Sequence, residues 1–263
     1  MDENHLRQLL TPLGAADVRY LPRTGSTNDD AFAWAAQGAA DFSLVLADEQ
    51  TAGRGRLGRR WLTPPGSALA FSLIVRPTPQ ETQNPSVFSP WGALAIVDAL
   101  RRQYNLTAEV KWPNDVLIRR RKTAGILVEA AWTGSVLDAV IVGIGINVAS
   151  SAVPPDDQVL FPATSLQDGL GRPLDRFDFL ANVLQSLVNW RAQLNTPRFT
   201  AAWQENLAFR GEWVRIEHTL DTPVSGKVLG IDAAGNLRLQ NEVGNEFSVS
   251  IGDVHVRPDP GNS

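Results

Sequence analysis

Four apolar segments follow one another between residues 110 and 148, and only short turns separate them. They cover 110–112, 116–118, 126–132 and 137–148. Short apolar runs bounded by turns, one after another along the chain, predict neighbouring strands of one sheet. A basic stretch, 119–122, lies between the second and third segments and is predicted to form a hairpin tip. Any fold for this chain has to contain this block of strands.

Helical patterns lie on both sides of that block. Apolar residues recur at helical spacing over 28–38, 88–104, 176–194 and 198–208. Two further strands are predicted at 43–47 and 67–75, and residues 150–172, which are rich in Pro, Asp and Gly, are predicted to form a surface connection. Strands grouped between helices indicate an α+β architecture, in which helices cover a mixed sheet.

The pattern changes after Gly211. Short alternating pieces separated by Gly, Asn and Asp turns predict a small all-β barrel, with strands at 213–217, 226–231, 236–240 and 247–251. A chain of 263 residues is long enough for one large domain and one small one. We therefore expect a large domain over 1–210 and a small barrel with a polar tail over 211–263.

Composition removes several classes of function. The chain has no cysteine and three histidines, at 5, 218 and 255, so disulfides, thiolate metal sites and a cysteine nucleophile are excluded. Its net charge of −4 gives no overall basic field that would attract nucleic acid. No apolar run is long enough to span a membrane, and the amino terminus does not resemble a secretory signal, so we expect a cytoplasmic protein.

The arginine loop, residues 53–60, contains four arginines and three glycines. Such a cluster repels itself unless an anion lies within it. Glycine lets the backbone approach a ligand, and guanidinium groups match phosphate or carboxylate oxygens in pairs. The loop therefore indicates a phosphate cradle, although it has neither P-loop nor dinucleotide-fold spacing. A solvated flexible loop and an RNA-contacting patch remain alternatives.

Three further segments carry polar groups at strand ends. Asn114 and Asp115 follow a predicted buried strand, where Asp115 could accept a hydrogen bond or a proton from an amine, although the pair could also serve only as a turn. Lys122 precedes a glycine at a strand entrance and could stabilise charge on a phosphate. In 142–147, glycine alternates with branched residues, which indicates close approach of a ligand or backbone, and Asn147 at its end could pair with adenine or simply end the strand.

Taken together, these motifs resemble biotin protein ligases in order and spacing. The motifs are Ser26-Thr27-Asn28, Gln50 with the arginine loop, Lys111-Trp112-Pro113-Asn114-Asp115, Lys122-Thr123-Ala124-Gly125-Ile126-Leu127-Val128-Glu129 and Gly143-Ile144-Gly145-Ile146-Asn147. The resemblance implies that biotin and ATP give biotinyl-5′-adenylate and pyrophosphate, after which a lysine of a biotin carboxyl carrier domain, such as that of acetyl-CoA carboxylase, attacks the anhydride. It also implies a catalytic domain similar to class II aminoacyl-tRNA synthetases, with an SH3-like barrel.

The same resemblance implies roles for individual residues. Lys122, Arg56 and Asp115 would be catalytic, with Asp115 at the incoming lysine. Biotin would be bound by Ser26, Thr27, Asn28, Gln50, Arg54, Gly55, Arg56, Trp61, Lys122 and Gly125. The nucleotide would be bound by Arg54, Arg56, Arg59, Asn147 and Lys122. Magnesium would bridge phosphate oxygens without a dedicated protein cage, and the arginine loop would be disordered until ligand closes it.

Two departures from the family pattern accompany the resemblance. Only 25 residues precede Ser26, so the DNA-binding domain of the repressor members, and with it DNA binding, is not expected. Residues 160–166 contain no tryptophan to cover the adenine, and Phe161 is the candidate substitute.

Two alternative functions and one assembly state remain open. A lipoate or octanoate ligase or transferase would share the sheet architecture, and a non-enzymatic ligand sensor or nucleic-acid-binding module could use the arginine loop. A homodimer formed by pairing of sheet edges is a further hypothesis.

Overall fold

The computed structural model describes residues 2–218, 223–250 and 254–258. The helices are α1 Glu3–Leu10, α2 Thr27–Ala36, α3 Phe88–Tyr104, α4 Leu166–Leu170, α5 Arg176–Arg191 and α6 Pro197–Glu205. Part of the predicted strand at 247–251 and the predicted polar tail after 258 lie outside the described residues. Within the described part of the chain, no helix has both the length and the apolar character needed to cross a membrane.

Seven strands form the large sheet. They are β1 Val18–Thr24, β2 Ser43–Gln50, β3 Ala68–Val75, β4 Glu109–Lys111, β5 Asp115–Ile118, β6 Arg121–Thr133 and β7 Val136–Asn147. Their order is β1-β2-β3-β7-β6-β5-β4, with β1 parallel to β2 and every other neighbouring pair antiparallel. The predicted mixed sheet covered by helices is confirmed.

The smaller sheet is antiparallel. It contains β8 Trp213–His218, β9 Val224–Ile231, β10 Leu237–Gln240, β11 Glu246–Val249 and β12 Val254–Pro258 in the order β11-β10-β9-β8-β12. This is the small all-β unit predicted at the carboxyl end. The side chain of Trp112 reaches it, because its indole Nε1 donates to the Gly235 carbonyl at 3.0 Å. The division into 1–210 and 211–263 remains our proposal.

Helices cover the large sheet unequally on its two faces. On one face, α1, α3 and α5 pack over the main core, where Phe71, Trp91 and Ile144 are almost fully buried. On the other face, α2 is short and covers a smaller cluster that includes Trp34 and Ile141. Because α2 has only ten residues, part of this second face lies beyond its amino end. The candidate site occupies that part.

Several predicted boundaries differ from those observed. The hairpin tip is narrower than predicted: Arg119 and Arg120 form the turn, both with positive φ, whereas Arg121 and Lys122 already belong to β6. The predicted surface connection at 150–172 contains α4. Elements that the sequence reasoning missed are α1, β1 and β12. β1 contains Pro22 and lies at the sheet edge, where a missing N–H donor is tolerated.

Candidate functional site

A row of small residues crosses the sheet beyond the amino end of α2. In the strand register, Ala70 lies opposite Gly145, Gly145 opposite Gly125, and Gly125 opposite Asp115. Side chains alternate between the two faces of a strand, so these positions share one face. Their small size leaves a depression that runs from β3 towards Asp115. We refer to this row as the floor of the pocket.

The pocket above this floor brings together most of the residues predicted to bind biotin. Its lining contains the predicted residues Ser26, Thr27, Asn28, Gln50, Arg54, Gly55, Trp61, Lys122 and Gly125. Arg56, Arg59, Asp115 and Asn147 lie outside this lining, and their positions are described below. Residues as far apart in sequence as Ser26 and Gly145 meet here because α2, whose N-cap residue is Ser26, packs against β2, β3 and β7.

A polar network joins α2 to β2 at one end of the pocket. The Thr27 backbone N–H donates to Gln50 Oε1 at 2.9 Å, and the Thr27 hydroxyl oxygen lies 3.1 Å from the same atom. Gln50 Nε2 donates to Thr63 Oγ1 at 3.2 Å. Ser26 is the N-cap of α2, yet its side chain makes no capping hydrogen bond. These groups form a compact set of buried hydrogen-bonding atoms on one wall.

Asn28 extends this network beneath α2. Its Nδ2 donates to Glu129 Oε2 at 2.6 Å, and its Oδ1 lies 2.6 Å from the Ser72 hydroxyl. A Cβ atom added at Gly143 would lie 2.2 Å from Asn28 Oδ1, so only glycine leaves room for this amide. Gly143 therefore leaves room for a side chain of the protein itself, whereas the sequence had indicated that a ligand or another backbone segment approaches here.

The side chain of Trp61 lies over Gly145, the second glycine of β7. A Cβ atom at Gly145 would come within 2.4 Å of the Trp61 ring, so the indole lies directly on the pocket floor. Lys122 Nζ lies 5.6 Å from the centroid of the same ring. The Trp61 side chain thus covers the floor at Gly145, and its role as an apolar wall against biotin stays a prediction.

A β-bulge directs Lys122 towards the pocket. Pairing between β5 and β6 runs from Val116 opposite Ala124 to Leu117 opposite Lys122, which leaves Thr123 as the extra residue. A bulge shifts the alternation of side chains by one position. Without it, Lys122 would share the face of Ala124 and point into the main core. With it, the ammonium group lies on the same face as Gly125.

Lys122 and Asp115 form an ion pair at the end of the floor. Lys122 Nζ is 2.6 Å from Asp115 Oδ1, and Lys111 Nζ is 3.5 Å from Asp115 Oδ2. Lys111 also lies 4.8 Å from the centroid of the Phe161 ring. The carboxylate is therefore shared by two lysines, and its own side chain is only 11% exposed.

These contacts determine the protonation of the buried groups. Burial alone would raise the pKa of Asp115, but the charges of Lys122 and Lys111 outweigh it, and the pKa lies below its usual value. Burial lowers the pKa of Lys111, and the charge of Asp115 counters that effect in part. Asp115 is consequently a carboxylate at neutral pH.

The arginines of the loop have different partners. Arg54 forms ion pairs with Asp29 and Glu129. Arg56 Nη1 lies 3.4 Å from Asn114 Oδ1, next to Asp115 along the chain. Arg60 donates to the Thr51 carbonyl at 3.1 Å. The sequence led us to expect an anion within this cluster, and at Arg54 two carboxylates of the protein itself supply the negative charge.

The last two predicted positions lie beside the start of β6. Asn147 is buried at the end of β7, where its Nδ2 donates to the Thr164 carbonyl at 3.2 Å. Phe161 packs edge-on against Phe209, with ring centroids 6.4 Å apart. Roles for both at the adenine stay predictions.

Three residues to which the sequence analysis gave no role complete the arrangement, namely Ser72, Asp29 and Glu129, although Glu129 ends one of the quoted motifs. They are common residue types, and only the strand register and the α2 position bring them to the site. One available signal was overlooked: the lysines of this arginine-rich sequence are Lys111, Lys122 and Lys227, and two of them contact Asp115.

No group of three or more His, Asp or Glu side chains suited to holding a metal ion occurs among the described residues. Arg59, which was also predicted to bind the nucleotide, lies in the arginine loop, where its carbonyl accepts from the Gly55 N–H at 2.7 Å.

Comparison with known proteins identifies relatives. The pattern of the Biotin/lipoate A/B protein ligase family matches residues 20–147. The biotin–[acetyl-CoA-carboxylase] ligase of Paracoccus denitrificans is 38% identical over 86% of this chain and 95% of that protein. The biotin–[acetyl-CoA-carboxylase] ligase of Mycobacterium tuberculosis is 36% identical over 98% of this chain and 96% of that protein. The structure of biotin protein ligase from Aquifex aeolicus in complex with biotin and ATP covers 93% of this chain and 100% of its own, with a TM-score of 0.80 and 28% identity.

Proposed function

The chain belongs to the biotin/lipoate A/B protein ligase family, and from this we propose that it is a biotin protein ligase that activates biotin with ATP. The observation that carries the proposal is the floor of small residues, which joins a buried polar network at α2 to the Lys122–Asp115 pair. A ligand with a polar ring at one end and a carboxylate at the other matches this layout. Biotin has that form.

In the proposed first step, the polar end of biotin occupies the wall made by Ser26, Thr27 and Gln50. Its carboxylate lies near Lys122, which exchanges part of its interaction with Asp115 for the ligand. A carboxylate oxygen then attacks the α-phosphorus of ATP as the bond to pyrophosphate breaks. Positive charge from Lys122 and Arg56 then stabilises the negative charge that develops on the phosphate.

In the proposed second step, a neutral lysine amine of a carrier domain attacks the acyl carbon, the bond from that carbon to the phosphate oxygen breaks so that AMP leaves, and the surplus proton of the amine passes to water. Asp115 retains Lys111 as a partner when Lys122 turns to the ligand, so its carboxylate stays ionised and can accept a hydrogen bond from the amine. A general base works best with a pKa near the working pH, and the pKa of Asp115 is lowered. We therefore assign Asp115 to orientation of the amine.

The remaining assignments belong to the same proposal. Trp61 shields the acyl chain, Asn147 lies at the adenine, and magnesium enters with ATP. The acceptor is the biotin carboxyl carrier domain of acetyl-CoA carboxylase or a related carboxylase, and the cytoplasm is the proposed location because the reaction consumes ATP. A homodimer and the absence of DNA binding stay predictions.

Titration calorimetry with biotin and with lipoate, each with and without ATP, tests the choice of substrate. The proposal expects biotin to bind the purified protein and lipoate to give no heat at the same concentrations. Binding of lipoate without binding of biotin would instead support the lipoate ligase alternative.

A further inference from the structure

Arg54 is held by two carboxylates at the edge of the pocket. Its Nη1 and Nη2 donate to Asp29 Oδ2 at 2.7 Å and Asp29 Oδ1 at 2.8 Å, which is a bidentate pair. Nη2 also lies 3.2 Å from Glu129 Oε2. Asp29 belongs to α2 and Glu129 to β6. One guanidinium therefore ties the arginine loop to two elements that line the pocket.

Glu129 links this contact to the pocket itself. The same oxygen that lies near Arg54 accepts the Asn28 amide at 2.6 Å. Asn28 in turn is in contact with Ser72, whose hydroxyl is 2.7 Å from that of Thr27. A chain of side-chain contacts thus runs from the arginine loop to the polar wall.

From this arrangement we infer that Asp29 and Glu129 are positioning residues that hold the arginine loop over the pocket through Arg54. We call Arg54 the clasp, meaning the residue whose ion pairs with Asp29 and Glu129 hold the arginine loop in place. Arg56 and Lys122 are then the residues that contact the charged groups of the ligand. This inference rests on the proposed function, since it assigns the clasp to retention of the adenylate, and it replaces the direct ligand contact that the family resemblance implied for Arg54.

Electrostatics favours the clasp over a direct contact. A phosphate or carboxylate that approached Arg54 in this position would also meet the negative charges of Asp29 and Glu129, which repel it. Hydrogen bonding to Asp29 raises the pKa of Arg54 and lowers that of Asp29, as expected for a pair that satisfies its own charges.

The two roles predict opposite effects of one substitution. If Arg54 is the clasp, Asp29→Asn weakens the hold on the loop and speeds release of biotinyl-adenylate about fivefold, as loss of one surface ion pair would. If Arg54 binds the ligand directly, Asp29→Asn frees the guanidinium and removes a repelling charge, so release slows. The sign of the change therefore decides between them.

The experiment measures, by pulse and chase, the rate at which biotinyl-adenylate dissociates from the protein that has formed it from biotin and ATP. The variants are Asp29→Asn, Glu129→Gln, Arg54→Ala and the Asp29→Asn/Arg54→Ala double variant. Asp30→Asn is the matched control, because Asp30 lies in the same turn of α2 but accepts from Thr24. Thermal unfolding verifies that each variant is folded.

We expect faster release of biotinyl-adenylate in Asp29→Asn, Glu129→Gln and Arg54→Ala. The double variant should release it no faster than Arg54→Ala alone. Release that is unchanged or slower in Asp29→Asn, or effects of Asp29→Asn and Arg54→Ala that multiply, would overturn the inference. A wild-type protein that forms no adenylate at all would instead contradict the proposed function, so the two failures are distinguishable.

Discussion

Lys122 Nζ lies 2.6 Å from Asp115 Oδ1, and both groups stand at the end of a floor of glycine and alanine that leads into the pocket. The pair is available to both proposed half-reactions. Lys122 can turn towards the ligand's carboxylate and phosphate, while Asp115 keeps Lys111 and presents its oxygen to an amine. Substitutions at the two positions should therefore affect different steps.

Lys122→Ala should lower the rate of adenylate formation by about a hundredfold or more, because a fixed charge at the transferring group is lost. Pyrophosphate release in the presence of biotin and ATP measures this step. Lys227→Ala is the control, since Lys227 is an exposed lysine of β9. Circular dichroism verifies that the variant is folded, and pyrophosphate release at the wild-type rate would remove Lys122 from the mechanism.

Asp115→Asn should slow transfer of biotin from supplied biotinyl-adenylate much more than it slows adenylate formation, because the amide orients the incoming amine poorly. The lysines around Asp115 lower its pKa below the ordinary 3.8, so the carboxylate is lost only at more acidic pH. Wild-type transfer should consequently show no loss attributable to Asp115 between about pH 7 and pH 5. Normal transfer by Asp115→Asn would refute this role.

Gly143→Ala should weaken biotin binding about tenfold, which corresponds to about 1.4 kcal/mol. The added methyl group would lie 2.2 Å from Asn28 Oδ1, so Asn28 must move and break its contacts with Ser72 and Glu129. Gly25→Ala is the matched control, because nothing lies within 4 Å of a Cβ atom there. Calorimetry that gave equal biotin affinity for both variants would contradict the proposed arrangement of the wall.

Glu81→Gln should lower the free energy of unfolding at neutral pH by up to about 3 kcal/mol, because the largely buried Arg191 loses its nearer ionised partner and keeps Asp41 at 3.5 Å. Arg191 Nη2 lies 2.8 Å from Glu81 Oε2. Burial alone would raise the pKa of Glu81, but hydrogen bonds from Arg191 and Thr78 lower it below the ordinary 4.5.

The sign of the Glu81 effect with pH follows from that lowered pKa. The contribution is complete above the ordinary pKa and disappears as the pH falls through the lower value in the folded protein. Urea unfolding at a series of pH values should therefore show less acid destabilisation in Glu81→Gln than in the wild type. If the free energy of unfolding fell equally with decreasing pH in the two proteins, this ion pair would not be a source of acid sensitivity.

Much of the fold follows from local patterns. The helix predicted over 88–104 has those bounds in the structure, because apolar residues at helical spacing continue along its whole length. β1 escaped prediction since Pro22 interrupts its apolar pattern, and its position at the edge of the sheet leaves much of it partly exposed. Elements at the edge carry weaker sequence signals than those in the core.

The site was only partly predictable for a different reason. Its glycines and charged residues could be found in the sequence because their types are unusual for strands and strand ends. Asp29, Ser72 and Glu129 have no such mark, and they meet only through the strand register and the placement of α2. The bulge at Thr123, which decides the side of the sheet on which Lys122 lies, was likewise invisible without the pairing of β5 and β6.

In the proposed function, this pocket joins biotin to AMP and then passes the biotin to a carrier lysine. The decisive measurement is mass spectrometry of a biotin carboxyl carrier domain after incubation with the protein, labelled biotin and magnesium-ATP. We expect one carrier lysine to gain the label, and only when ATP is present. A carrier that stays unlabelled, or that gains a lipoyl group from lipoate in a parallel reaction but no biotin, would contradict the proposed function.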